Sequence, residues 1–197
     1  MRIVLKYLFL FFLIGSLTNI VKAQTAEGIF DQYADFNVAR MLGKADTAFK
    51  LGNRILPNVG KLPPKTQVSF YNGLAKLYED NNQFDKAQAF YEKVVAAAPD
   101  YYVAHLALAH IYLRTVDELA KKTNAASGDP QLRKAYVAAV NKVLPHLEKV
   151  QACDPYDENL GLIKKLYDSI GNSAGFPGLE SRLKPMRAKC LDILDEN

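Results

Sequence analysis

Apolar residues in the middle of the chain recur every three or four positions, which is the spacing of an α-helix. Residues 68–79 and 84–97 each carry such a pattern, with polar residues at the remaining positions. Asn81 and Asn82 separate the two segments, and Pro99 ends the second because its ring interrupts the helical hydrogen-bond ladder. The pattern predicts two antiparallel helices joined by a short turn.

Two other parts of the chain repeat the spacing of this hairpin. A shift of 34 residues carries Leu74 onto Leu108, Ala75 onto Ala109 and Tyr78 onto Tyr112. A shift of 42 residues relates Ala45, Phe49 and Pro57 to Ala87, Tyr91 and Pro99. Self-similarity at such periods is typical of stacked helical hairpins.

The stretches between these hairpins are irregular. About eight extra residues surround positions 58–64, and Pro155 follows Pro99 by 56 rather than 34 residues, which predicts an insertion at about 115–133. Within it, Asp129 and Pro130 fit the N-cap and first residue of a new helix. A fourth hairpin is expected after Pro155. Its second helix is predicted at about 178–194, kinked or split by Pro185.

Residues 68–101 resemble the 34-residue tetratricopeptide repeat (TPR). The resemblance rests on large aromatic, aliphatic and small residues at their expected places and on a final proline, namely Tyr71, Leu74, Ala75, Tyr78, Phe84, Ala87, Tyr91 and Pro99. It implies that residues 24–197 form one all-α domain, a right-handed TPR-like solenoid of about four helical hairpins or about eight helices. In the first hairpin, Phe30, Tyr33 and Ala34 stand at matching spacing, with a register open by one residue.

The first 23 residues have the order of a secretory signal peptide. Arg2 and Lys6 precede an apolar run at 7–14, and a polar stretch then ends in Ala23. The run is shorter than the roughly 18–20 residues that cross a bilayer, so cleavage before Gln24 is favoured over a membrane anchor. No cysteine stands just after the apolar run, where lipid attachment would require one. We therefore expect a periplasmic or secreted protein with no transmembrane segment after cleavage.

Removal of this segment changes the charge of the chain. The full sequence has 25 basic and 21 acidic residues. Without Arg2, Lys6 and Lys22 the basic residues fall to 22, while the acidic count is unchanged. A nearly neutral protein argues against a nucleic-acid partner, which calls for clustered Lys and Arg.

Residues that could carry chemistry are few. His105 and His110 lie five apart on one helix and point in different directions, so they cannot share a metal as residues four apart can. No nucleophile motif or phosphate-binding glycine loop occurs. We predict no catalytic residue, metal or cofactor. Cys153 and Cys190 form a possible disulfide in an oxidising compartment, and the alternative is two small buried residues.

The resemblance to TPR proteins also implies a binding surface. In such stacks the first helix of each hairpin lines a concave groove, and the corresponding residues here are Asn72, Lys76, Glu79, Leu106, His110 and Leu113. A polar patch beside an apolar one suits an extended or helical peptide. Two alternatives stay open, in which these residues are merely solvated or are covered by the insertion at 115–133.

These observations predict a non-catalytic periplasmic scaffold or adaptor that binds a peptide or an envelope-complex subunit in the groove. One alternative is a structural subunit that associates with itself through an uncapped end hairpin. Another is a small-ligand-binding protein or enzyme whose pocket the insertion at 115–133 closes. The sequence leaves the oligomeric state and the identity of the partner undetermined.

Overall fold

The computed structural model describes residues 25–125 and 128–194, and this part of the chain folds into eight α-helices with no strand. The helices are α1 (Ala26–Met41), α2 (Ala45–Ile55), α3 (Pro64–Asp80), α4 (Phe84–Ala97), α5 (Tyr102–Ala125), α6 (Pro130–Cys153), α7 (Asp157–Ser169) and α8 (Leu179–Arg187). A 3-10 helix, Leu56–Lys61, precedes α3. The signal peptide predicted at residues 1–23 lies outside the described residues. Within the described ranges, no helix has both the length and the apolarity needed to span a bilayer.

Successive helices pack as the predicted hairpins, except at the C-terminal end. Helices α1 and α2, α3 and α4, and α5 and α6 form three close pairs, whereas α8 packs mainly against α6. Residues 170–178 lie between α7 and α8 and make this last pair wide. The prediction of a TPR-like helical solenoid is confirmed.

A left-handed residue marks the same place in three of the turns between paired helices. Gly43, Asn82 and Gly171 have φ values of 66°, 57° and 74°. Glycine and asparagine are the residues that tolerate this conformation. Alignment of the first two hairpins on Gly43 and Asn82 places Arg40 opposite Glu79 in the repeat.

This alignment corrects the register that the sequence suggested for α1. Phe30 is 48% exposed and Ala34 is also exposed, so neither residue faces the core. Ile29 and Phe36 are buried in their place, while Tyr33 is buried as expected. Phe36 stands where the second hairpin has the small residue Ala75, and this substitution hid the register.

Glycines in the neighbouring helices make room for the Phe36 ring. A Cβ atom at Gly52 would lie 3.0 Å from Leu74 Cδ1 and 3.5 Å from the Phe36 ring. A Cβ atom at Gly73 would lie 3.2 Å from the same ring. The Phe36 and Phe70 rings meet edge to face with their centroids 5.2 Å apart. The first hairpin thus packs as closely as the second with a different distribution of large and small residues.

The insertion predicted at 115–133 lengthens the third hairpin. Helices α5 and α6 have 24 residues each, and α6 begins at Pro130 with Asp129 as its cap, as predicted. The Asp129 carboxylate accepts hydrogen bonds from the backbone N–H groups of Gln131 and Leu132. Near the start of α6, the Tyr136 hydroxyl donates to Ser169 Oγ at 2.8 Å and holds α6 against α7.

The predicted helix at 178–194 is wrong beyond Arg187. Pro185 is accommodated in the last turn of α8, and the chain then leaves the helix and forms an isolated bridge, Leu191 with Tyr101, at the junction of α4 and α5. The Leu191 N–H donates to the Asp100 carbonyl at 2.8 Å, and the Tyr102 N–H donates to the Leu191 carbonyl at 3.1 Å. These contacts are distant in sequence, so helical periodicity could not reveal them.

Covalent and ionic contacts fix the start of this C-terminal segment, residues 188–194. Cys190 forms a disulfide with Cys153 at the end of α6, with the Cα atoms 5.4 Å apart. The buried ammonium group of Lys149 donates to the Asp100 carboxylate at 3.0 Å and to the Lys189 carbonyl. Helix α6 therefore holds both the segment and the α4–α5 junction that the segment contacts.

Helix α8 is held to α6 by a buried carboxylate. Arg182 donates to both Glu148 oxygens, at 2.9 and 2.8 Å, and the Tyr167 hydroxyl of α7 donates to the same carboxylate. The Glu148 side chain is 5% exposed and that of Arg182 is 37% exposed. Burial and the Glu148 charge raise the pKa of Tyr167 to about 12, so its hydroxyl remains a donor.

Glu148→Gln should destabilise the C-terminal end of the fold. The change leaves Arg182 without its counter-charge, and we expect the free energy of unfolding to fall by roughly 2–3 kcal/mol, less than for a fully buried pair. Tyr167→Phe removes one hydrogen bond and should cost about 1 kcal/mol. Urea unfolding followed by circular dichroism measures both. Equal losses for the two variants would show that the ion pair does not hold α8.

Two histidines bridge α5 and α6. The Nδ1 atoms of His146 and His105 are 3.1 Å apart, and His105 Nε2 lies 3.1 Å from the Pro99 carbonyl oxygen. Because a carbonyl only accepts, His105 carries its hydrogen on Nε2 and accepts at Nδ1 from His146. Burial lowers the pKa of both rings, and with the neighbouring His105 it lowers that of His146 to about 4.

The histidine bridge should make stability depend on pH. The unfolded chain protonates His146 near pH 6.5, whereas the folded protein keeps it neutral to about pH 4. Stability that is present above pH 6.5 is therefore lost as the pH falls towards 4, by up to about 3 kcal/mol. His146→Asn keeps a donor but does not titrate, so it should flatten this part of the stability curve. His110→Asn, at an exposed position, is the control. A slope unchanged in His146→Asn would contradict the assignment.

Candidate interaction groove

The first helices of the first two hairpins, α1 and α3, border one cleft, which we call the Arg40 cleft. It has a volume of 250 Å³. Helix α1 contributes Tyr33, Asn37 and Arg40, helix α3 contributes Ser69, Asn72 and Gly73, the α4–α5 junction contributes Tyr101, and the C-terminal segment contributes Asp192, Ile193 and Leu194. The surface expected to be concave from the resemblance therefore has a defined depression at its N-terminal half.

Of the predicted groove residues, Asn72 lies in this cleft and two others bond to neighbours beyond it. Asn72 Nδ2 donates to the Tyr101 hydroxyl at 3.4 Å. Lys76 donates to the Asp80 carboxylate at 2.5 Å, and this bond raises the pKa of Lys76. Glu79 accepts a hydrogen bond from the Tyr91 hydroxyl of α4 at 2.8 Å. The polar residues of the predicted groove are thus already hydrogen-bonded to neighbouring side chains of the protein.

The apolar part of the predicted groove is the face of α5. Leu106 and Leu113 are half-buried and His110 is exposed. Val103, one turn before Leu106, is 36% exposed. These side chains are not among those that line the Arg40 cleft, so α5 presents a separate, half-apolar strip.

The Arg40 guanidinium is the cation among the described residues that line the cleft. Its Nη1 donates to Asn37 Oδ1 at 3.0 Å, and its carbon lies 5.4 Å from the centroid of the Phe36 ring. A Cβ atom at Gly73 would overlap Nη1, so the absence of a side chain there lets the guanidinium lie on α3. Burial lowers the pKa of Arg40, which still remains far above neutral pH.

A buried hydroxyl belongs to another residue that lines the cleft. Ser69 Oγ is inaccessible to solvent and has no hydrogen-bond partner among the described residues. Buried polar atoms in proteins normally have a partner, so this unpaired hydroxyl is an exception in the packing of α3. Sequence reasoning missed Arg40 because the register of α1 was uncertain. The left-handed turn at Gly43 is the signal that could have found it.

A second cleft lies between the start of α4 and the middle of α5. Its volume is 420 Å³, and Arg114 covers the Phe84 ring there at 3.8 Å. Asp85 and Glu118 also line it. Across the described ranges, no three His, Cys, Asp or Glu side chains come together as a metal site. This second cleft includes none of the residues predicted for the groove.

Comparison with known proteins identifies one repeat. The tetratricopeptide repeat family model matches residues 68–101, which span α3, α4 and the junction with α5. No curated protein and no solved structure matches the chain significantly. Tetratricopeptide repeats generally mediate protein–protein interaction and are typically non-catalytic. The chain therefore contains one tetratricopeptide repeat, matched at residues 68–101, inside a TPR-like helical solenoid.

Proposed function

We propose that the protein is a non-catalytic scaffold or adaptor that binds a segment of a partner protein along α1, α3 and α5. The observation that carries the proposal is that α1 and α3 line the Arg40 cleft with polar residues at the groove positions, whereas the groove positions of α5 form a half-apolar strip. The first helices of three hairpins thus offer a polar depression and an apolar surface. A peptide can fix its orientation through polar contacts in the cleft and bury apolar side chains on the strip of α5.

The apolar strip would supply much of the binding energy. Full burial of a leucine side chain is worth about 1.5–3 kcal/mol, and Leu106 and Leu113 each have part of that area left to bury. Val103 extends the strip by one turn, and the exposed His110 lies between the leucines. A partner segment with two or three apolar residues would match it.

A double charge substitution on α5 tests this surface. Leu106→Glu with His110→Glu should reduce recovery of the bound partner from an envelope extract by about tenfold or more, because buried carboxylates oppose apolar contact. Quantitative mass spectrometry of proteins bound to the immobilised variants provides the measurement.

The matched control adds the same two charges to the second helix of the neighbouring hairpin. Ala89→Glu with Ala96→Glu changes exposed positions of α4 and should leave recovery unchanged. Circular dichroism checks that all three proteins are folded. Identical partner profiles for the wild type and the α5 variant would reject the groove as the binding surface.

We also propose that the protein acts in the periplasm or outside the cell. The tripartite order of residues 1–23 supports this location, and a disulfide between Cys153 and Cys190 is a bond that persists in oxidising compartments. Expression of the full sequence in a bacterial host should yield, in the periplasmic fraction, a protein that begins at Gln24. Intact-mass spectrometry measures the start. A chain retained in the cytoplasm with Met1 in place would contradict the proposal.

A further inference from the structure

We propose that the outer face of α1 binds a second copy of this chain, so that the protein forms a symmetric dimer with the two α1 helices antiparallel. This inference goes beyond the proposed function, because the face lies outside the Arg40 cleft and includes none of the predicted groove residues. The dimer would carry the proposed partner-binding surface twice.

Exposed apolar side chains are concentrated on one side of α1. Of the seven large hydrophobic residues that are exposed in the described ranges, four belong to this helix or follow it directly, namely Phe30, Val38, Met41 and Leu42. Exposed apolar residues at intervals of four, four and three positions share one side of the helix, and they are Phe30, Ala34, Val38 and Met41. We call these four residues and Leu42 the α1 stripe. Single exposed apolar residues are normal on a protein surface, whereas a continuous patch marks an interaction site.

A groove beside the α1 stripe has room for a side chain of the second copy. It lies between α1 and α2 and has a volume of 380 Å³. Val38, Leu42 and Leu51 contribute apolar side chains to its lining. The Phe30 ring of the second copy would fill this groove, since aromatic side chains that enter a pocket are the usual anchors of protein interfaces.

Charges of opposite sign stand at the two ends of this surface. Exposed acidic residues lie along the first part of α1, and they are Glu27, Asp31 and Asp35. Exposed basic residues follow α1 or lie on α2, where they line the groove, and they are Lys44, Lys50 and Arg54. Within the described ranges, none of these six side chains forms an ion pair. Both sets of charges are therefore available to a partner.

An antiparallel pair of α1 helices matches the apolar stripe and the charges at the same time. Across a two-fold axis, the same patch of both copies meets, so each contact occurs twice. With the axis between Ala34 and Val38, Phe30 of one copy would stand beside Leu42 of the other, and Asp31 would approach the cations of the groove. A parallel pair would instead set like charges against each other. The small side chain of Ala34 at the centre would let the two helices approach closely.

The acidic residues of α1 favour a second copy over a membrane surface as the occupant. An anionic bilayer would attract Lys44 and the cations of α2, but it would repel Asp31 and Asp35 beside the same stripe. A second copy offers a counter-charge to both sets, because it carries the same acidic and basic ends in the reverse order.

Analytical ultracentrifugation tests whether the α1 stripe holds the dimer. The protein purified from the bacterial host should change from one to two chains per particle as its concentration rises. Val38→Glu places a carboxylate at the centre of the apolar contact in both copies and should weaken the dimer by about tenfold or more. Ala96→Glu adds the same charge at an exposed position of α4 and should leave the dimer unchanged. Circular dichroism checks that both variants are folded.

Two charge-reversed variants test the antiparallel arrangement. One carries Asp31→Lys with Asp35→Lys, and the other carries Lys50→Glu with Arg54→Glu. Each variant alone should be monomeric at a concentration at which the wild type is dimeric, because like charges would then meet across the axis. An equal mixture of the two should form a heterodimer, since each set of charges again faces the opposite sign. Association that appears only on mixing requires reciprocal contacts between two copies.

A control variant and three contrary results complete the test. Lys134→Glu with Lys165→Glu reverses two exposed charges on α6 and α7 and should stay dimeric. A wild type that is monomeric up to about 0.3 mM, a dimer as tight in Val38→Glu as in the wild type, or failure of the charge-reversed pair to associate on mixing would each overturn the proposal. Monomeric protein that floats with vesicles of phosphatidylcholine and phosphatidylglycerol would assign the α1 stripe to a membrane surface and overturn it as well.

Discussion

Close approach of paired helices at small side chains is the constraint on which this fold depends. Ala48, Ala75 and Ala87 are fully buried, and larger residues at these positions would push the helices of a pair apart. Aromatic rings fill the spaces around these contacts. Between the first and second hairpins, the ring centroids of Tyr78 and Phe49 lie 5.1 Å apart. A hairpin cannot bury its apolar faces alone, so the pairs stack and the first helices come to lie side by side.

The first hairpin meets the same constraint with different residues, and this exchange creates the candidate site. Phe36 occupies a place that is small in the second hairpin, and Gly52 and Gly73 supply the missing space. Glycine in the middle of a helix costs roughly 0.5–1 kcal/mol relative to alanine. At Gly73 the same absence of a side chain lets Arg40 lie against α3. The packing of the core and the position of the Arg40 guanidinium therefore have one origin.

Features that depend on local interactions could be predicted from the sequence, whereas features that depend on distant residues could not. The second hairpin was predictable because small and aromatic residues at fixed spacing encode a local contact, and Asp129 marked the start of α6 for a similarly local reason. The register of α1 was not predictable while Phe36 hid the small position. The path of residues 188–194 depends on Asp100, Lys149 and Cys153, which no periodicity connects to it. Arg40 was missed because the register of α1 was hidden. The wall formed by Ile193 was missed because it depends on contacts between residues far apart in the sequence.

The anchoring of the C-terminal segment links the chemistry of the compartment to the shape of the cleft. Ile193 and Leu194 form one wall of the Arg40 cleft, and they follow directly after the bridge at Leu191 and the disulfide at Cys190. The disulfide joins residues 37 positions apart. Closing a loop of this size stabilises the folded protein by about 2–4 kcal/mol. Without that bond, Lys149 and two backbone hydrogen bonds would hold the segment, and the wall would open more readily. An oxidising environment thus favours a preformed cleft.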